Sequence, residues 1–228
     1  MFLCGKDLKK MIFKLLDDSL IFPNPSLAEA DGLLAIGGDL SSERLLLAYQ
    51  SGIFPWFSEG DPILWFSPHE RCVIFPQRIN VSKSMKRVMK SGVFSITEDQ
   101  AFADVIYNCA KSPRVGQDGT WITTEMQEAY IALNEKGIAK SIEVWQGSEL
   151  VGGLYGIEMG TVFCGESMFN KVSNASKMAL IHLVKKPGIQ LIDCQLPNDH
   201  LMSMGAEMIG REEYMEILIQ QLPNIILT

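Results

Sequence analysis

Along 191–195 an apolar run ends in an acid and an amide, Leu191-Ile192-Asp193-Cys194-Gln195. Neighbours in an extended chain point to opposite faces. The spacing therefore predicts a strand with Asp193 and Gln195 on one face, about 7 Å apart, and Ile192 and Cys194 on the other. Pro197-Asn198 follows, and taken alone the stretch also fits a strand end turning into solvent. Upstream, 141–145, 150–157 and 161–167 read as strands between turns at Gly147-Ser148 and Met159-Gly160, which predicts a three-stranded antiparallel meander. Helical spacing then runs from a cap at Ser173 to Lys185 and stops at Pro187-Gly188. After the strand at 191–195 come a short helix capped by Asn198, a strand over 206–209 and a terminal helix over 212–221.

The first half is less regular. The opening twenty residues are weakly amphipathic and predict a helix, broken by Phe22-Pro23-Asn24-Pro25. Ser41 or Ser42 caps a short helix through Tyr49, with Gly52 past its end. Gly37-Gly38 lacks the G-x-x-x-x-G-K-[ST] spacing of a phosphate loop and reads as a tight turn. Two proline-fixed aromatic segments follow, 52–57 and 62–68. Phe54, Phe57 and Trp65 are assigned to the core, and Trp56 is the candidate to stack on a nucleobase. Val73-Ile74-Phe75 reads as a strand ended by Pro76. Ser82 caps a helix to Lys90 on which Lys83, Lys86, Arg87 and Lys90 fall on one face. A strand over 92–97, a helix over 99–109 and a polar loop over 110–119 lead to Thr120-Trp121-Ile122. Thr123 or Thr124 then caps a helix bearing Met126, Ala129, Tyr130 and Leu133, so Trp121 stands at a loop-to-helix junction.

This order is that of an α/β (α+β) protein, with a small N-terminal domain over 1–76 and a C-terminal domain over 77–228 built on a mixed, mainly antiparallel sheet. From residue 141 onward the succession resembles the acetyltransferase-like (GNAT) fold. The loop R/Q-x-x-G-x-G/A of an acyl-CoA enzyme is missing before the helix near Ser173, which weighs against an acyl-CoA-dependent transferase. With 228 residues, 47% hydrophobic and 21% charged, the chain is long enough for a substantial core. It has no apolar run near the roughly 20 residues of a membrane span. No signal-peptide cleavage pattern follows the N-terminus, so a cytoplasmic location is expected. Five scattered cysteines and three histidines show no disulfide framework or metal-ligand spacing, so no metal is expected. Net charge is −7, yet residues 77–97 hold no acid and include the four cations of the stripe. Such a stripe on an acidic protein suits a phosphate backbone.

Six motifs in order then carry a resemblance. Gly32-Leu33-Leu34-Ala35-Ile36-Gly37-Gly38-Asp39-Leu40, Gly52-Ile53-Phe54-Pro55-Trp56-Phe57, Gly119-Thr120-Trp121-Ile122, Leu150-Val151-Gly152-Gly153-Leu154-Tyr155-Gly156, Gly165-Glu166-Ser167-Met168-Phe169 and Leu191-Ile192-Asp193-Cys194-Gln195 together resemble the leucyl/phenylalanyl-tRNA-protein transferase family. The resemblance implies a monomeric cytoplasmic enzyme that needs no cofactor, with leucyl-tRNA and phenylalanyl-tRNA as donors, methionine being used less readily. Its acceptors would be proteins with N-terminal Arg or Lys, which the added residue marks for N-degron proteolysis. By motif, Asp193 and Gln195 would be catalytic, with Asp193 accepting a hydrogen bond from the amine directly or through Gln195. Phe163, Met168 and Ile192 would line the side-chain pocket, with Glu166 at its mouth. Trp56 and Trp121 would hold the tRNA 3′-adenosine, and Lys83, Lys86, Arg87 and Lys90 its backbone. Phe66, Asn170, Asn134 and Lys140 depart from the family's pattern. The rival from another class is a tRNA-binding module without catalysis.

Overall fold

The computed structural model describes residues 12–16, 19–112 and 120–221. Most of the opening helix expected from the sequence, most of the polar loop over 110–119, and Cys4 lie outside them. The N-terminal part consists of β1 (Phe13–Leu15), β2 (Leu33–Gly37), α1 (Ser42–Gln50), β3 (Phe54–Pro55) and β4 (Leu64–Phe66), with the strands in the order β1-β2-β4-β3. Where the sequence predicts helix, Phe13 to Leu15 form a strand, because they pair in parallel with Ala35 to Gly37. Gly37 and Gly38 do turn, at φ 92° and 76°, and a side chain at Gly38 would press on Arg44, 3.1 Å from its Nε. Trp65 is fully buried and its indole N–H donates to Gly37 O at 2.8 Å.

The larger part runs β5 (Glu70–Ile74), α2 (Lys83–Ser91), β6 (Ser95–Glu98), α3 (Phe102–Lys111), α4 (Thr124–Glu135), β7 (Ala139–Gln146), β8 (Glu149–Met159), β9 (Val162–Asn170), α5 (Ala175–Lys185), β10 (Leu191–Gln195), α6 (Asp199–Ser203), β11 (Glu207–Gly210) and α7 (Arg211–Gln221). Its seven strands lie in the order β11-β5-β10-β9-β8-β7-β6. β7, β8 and β9 form the antiparallel meander, and β10 joins β9 in parallel, which makes the sheet mixed but mainly antiparallel. β5 pairs with β10 and β11, so the strand over 70–74 belongs to the second sheet although the division expected after residue 76 leaves it with the first. Its partners stand more than a hundred residues downstream, beyond the reach of local pattern.

Ser41, Ser82, Thr123 and Asn198 cap their helices by accepting from backbone N–H groups. α5 enters through Asn174 at φ 73° without a side-chain cap, rather than through Ser173. The two faces of the second sheet bury different cores. One joins Val105, Tyr130, Tyr155, Cys164 and Tyr214 to residues of the N-terminal part such as Leu34, Tyr49 and Trp65. The other packs α5 against Phe163 and Ile192. Apolar burial on both faces fixes which way each strand residue points, at roughly 1.5–3 kcal/mol per large side chain.

Candidate functional site

Pairing between β10 and β9 ends at Asp193 opposite Cys164, while β9 continues to Asn170. Beyond that point the two strands part, and a cleft of about 830 Å³ opens there. Glu166 and Met168 line it from β9, Ile192, Cys194 and Gln195 from β10 and Phe163 from beneath. The Phe163 ring lies against Gly156 of β8. A Cβ there would stand 2.5 Å from its Cε1 and 2.2 Å from Cys164 O, so a side chain at 156 would displace the ring. Phe163, Met168, Leu180, Leu183 and Ile192 make an apolar compartment. Trp56 and Trp121, both partly exposed, line the same cleft, with Trp56 packed on Phe66 at a centroid distance of 5.7 Å. Phe54, Phe57 and Trp65 are buried as expected.

Strand alternation holds as far as Cys194. Leu191 enters the core shared with the N-terminal part, whereas Ile192 enters the other and Cys194 packs against it. At Gln195 the chain turns left-handed, φ 56°, and the register with β5 slips. Asp193 Oδ1 accepts from Gln195 N at 2.9 Å, an Asx-type turn that offsets the strain of about 1–2 kcal/mol such a backbone carries. The turn aims the Gln195 carboxamide at Glu166, its Nε2 donating to Oε1 at 3.1 Å. Gln195 thus reaches the cleft through this bulge rather than through continued alternation.

Asp193 itself has no exposed surface. Arg71 Nε donates to both its oxygens, at 3.0 and 3.1 Å, and Tyr214 OH donates to Oδ2 at 2.9 Å. The guanidinium lies between two rings, 4.9 Å from the centroid of Phe54 and 4.5 Å from that of Tyr214. Burial works against the Arg71 charge, but Asp193 and then Tyr214 outweigh it and raise its pKa. A direct hydrogen bond from a substrate amine to Asp193 has no room here, because the carboxylate has no exposed surface and lies sealed under Arg71, Tyr214 and the Gln195 backbone; the route through Gln195 is the one the geometry leaves.

Glu166 is the acid that faces the cleft. Tyr130 OH donates to its Oε2 at 3.2 Å, and Tyr130 is in turn hydrogen-bonded to Tyr49 of α1. Burial of the carboxylate raises its pKa to about 7, aided by the charge of Asp193 and opposed by the hydroxyls of Tyr49 and Tyr130 and by Arg71. Glu166, expected at the mouth of the side-chain pocket, is one of the residues that line the cleft. The stripe Lys83, Lys86, Arg87 and Lys90 is exposed on α2, which buries Met85, and none of the four is ion-paired among the described residues. These four are absent from the cleft lining.

Sequence reasoning missed Arg71, Tyr214, Tyr49 and Tyr130. Tyr49 and Tyr130 read as ordinary apolar-face residues of their helices, and nothing near Arg71 announced a partner 122 residues away.

A family model described as leucyl/phenylalanyl-tRNA protein transferase matches residues 73–219, and one for the N-terminal domain of that protein matches 38–69. The chain is 56% identical over 202 residues to the leucyl/phenylalanyl-tRNA--protein transferase of Flavobacterium johnsoniae, covering 87% of this chain and 95% of that one. It is 52% identical over 218 residues to that of Syntrophobacter fumaroxidans, covering 94% and 93%. Among solved structures, L-PGS from Bacillus licheniformis is similar at a TM-score of 0.40 and 11% identity over 73% of this chain and 54% of that one, too distant to argue from. The matched segments take in both walls of the cleft, from Trp56 to Gln195. The chain therefore belongs to the leucyl/phenylalanyl-tRNA-protein transferase family, aminoacyltransferases that move an aminoacyl group from tRNA to protein.

Proposed function

We propose that this enzyme takes leucine or phenylalanine, and methionine less readily, from aminoacyl-tRNA and joins it to the α-amine of proteins that begin with Arg or Lys. The product is marked for N-degron proteolysis, and the enzyme acts as a monomer in the cytoplasm. The observation that carries this reading is an apolar compartment next to a carboxylate and a carboxamide, in one cleft with two partly exposed tryptophans. Attack of an amine on an activated ester needs a neutral nucleophile, close positioning and no redox chemistry.

In this reading Phe163, Met168 and Ile192 surround the leucyl or phenylalanyl side chain. Trp56 and Trp121 hold the terminal adenosine, with about 1–3 kcal/mol for a stacked base. Asp193, anchored by Arg71 and Tyr214, holds the backbone of Gln195 in its left-handed turn, and Gln195 orients the incoming amine. The cations of α2 take the tRNA backbone, which positions the tRNA without reading its sequence.

The test is transfer of labelled leucine from leucyl-tRNA to a peptide beginning with Arg, beside one beginning with Ala. Label on the first and not on the second is the expected result. Equal labelling would overturn the acceptor preference, and no labelling of either would overturn the transfer reading.

A further inference from the structure

Two acids belong to this site, and a substrate can reach only one of them. Asp193 is sealed under Arg71, Tyr214 and the Gln195 backbone. Gln195 faces the cleft, but a carboxamide oxygen is too weak a base to keep a proton. Glu166 lines the cleft and accepts from Gln195 Nε2 and Tyr130 OH, with the Tyr49 hydroxyl as a further neighbour; of a carboxylate's roughly four acceptor sites this leaves one for a donor in the cleft. We infer that Glu166 is the proton acceptor of the transfer step, taking a proton from the attacking α-amine and returning it to the departing ribose oxygen. The inference rests on the aminoacyl-transfer reading.

The step balances without any further reactant. The amine nitrogen's lone pair forms the new C–N bond, and the carbonyl π pair moves onto its oxygen. One N–H proton passes to a Glu166 oxygen. Collapse restores the carbonyl and breaks the ester C–O bond, and the ribose oxygen leaves with that bond's electron pair and the proton held by Glu166. Ester and amine become amide and alcohol, and Glu166 ends as it began.

The surroundings of Glu166 suit this work. Tyr49 from α1, Tyr130 from α4, Arg71 from β5, Asp193 and Gln195 from β10, Tyr155 of β8 behind Tyr130, and Cys164 of its own strand surround it. Burial brings its pKa to about 7, close to the roughly 7.7–8.0 of an α-amine, so the proton moves between groups of similar basicity.

Single-turnover transfer of labelled leucine to an Arg-initial peptide, followed across neutral pH, tests this. The wild-type rate should rise through two limbs, one near pH 7 from Glu166 and one near about 8 from the acceptor amine. E166Q should be slowed at least about 100-fold and keep only the limb of the amine. Its affinity for a leucyl adenosine analogue with an amide in place of the ester should be unchanged. Y130F, which removes a hydrogen bond that lowers the Glu166 pKa, should stay active with the lower limb moved to higher pH. E166Q transfer within about tenfold of wild type, a lower limb that neither variant alters, or a loss explained wholly by weaker analogue binding would each overturn the inference. If the wild-type protein transfers no leucine, the aminoacyl-transfer reading falls and takes the inference with it; if only E166Q behaves as wild type, the inference falls alone.

Discussion

Beneath β10, Asp193 sits among a guanidinium, a phenol and a backbone N–H, with no surface of its own. In the cleft wall beside it, Glu166 has only neutral side-chain donors about it, Gln195, Tyr130 and the Tyr49 hydroxyl, and a partly open face. Both acids turn toward the same core, and their partners Tyr214 and Tyr130 belong to it. The difference lies in the cation. Asp193 owns Arg71 at 3.0 Å, which makes it a fixed anchor, whereas Glu166 feels Arg71 only as a weak opposing charge, and burial decides its titration. Two carboxylates in one site are thus driven toward different tasks by desolvation and by the nearest partner.

Removing the cation should break the contrast most severely. R71M would leave a buried carboxylate without its charge partner, at a loss of about 3–5 kcal/mol in urea unfolding. A loss below about 1 kcal/mol would show that water reaches Asp193 and that the anchor is not sealed.

Removing the other acid should act in the opposite direction. Folding raises the Glu166 pKa from an ordinary 4.5 to about 7, so the folded state is disfavoured as pH climbs through that interval. At pH above 7 E166Q should therefore be more stable than wild type by roughly 2 kcal/mol, allowing for the partly open face, and the gain should vanish once the pH falls below the ordinary glutamate range. Thermal unfolding at an alkaline and an acidic pH measures it. A gain that is the same at both would assign the effect to packing and not to the charge.

The smallest change separates the two phenols. Y214F deletes a hydrogen bond to the ion-paired acid and should cost about 1.5 kcal/mol of stability, while Y130F costs less because its partner has only neutral donors. Equal losses would mean that the two acids are held alike.

Much of the scaffold was legible. The meander over β7 to β9 and the strand at 191–195 followed from alternation, and Ser41, Ser82, Thr123 and Asn198 were readable as caps because capping bonds span two or three residues. Trp56, Trp121, Phe163, Glu166, Met168, Ile192 and Gln195, named from their motifs, all line one cleft. What local pattern missed has a common cause. Phe13 to Leu15 became a strand through pairing with β2, and β5 joined the second sheet through pairing with β10 and β11. Tyr49 meets Tyr130 across 81 residues, and Tyr130 meets Glu166 across 36.

By itself the sequence determined which residues form strands and helices over most of the chain, and that an acid and an amide stand two apart at the end of an apolar strand. It could do so because backbone periodicity and capping are local. Only the tertiary structure decided which acid is locked and which is open to the cleft. That choice depends on burial and on donors brought from Arg71, Tyr214, Tyr49 and Tyr130, and packing alone sets those distances.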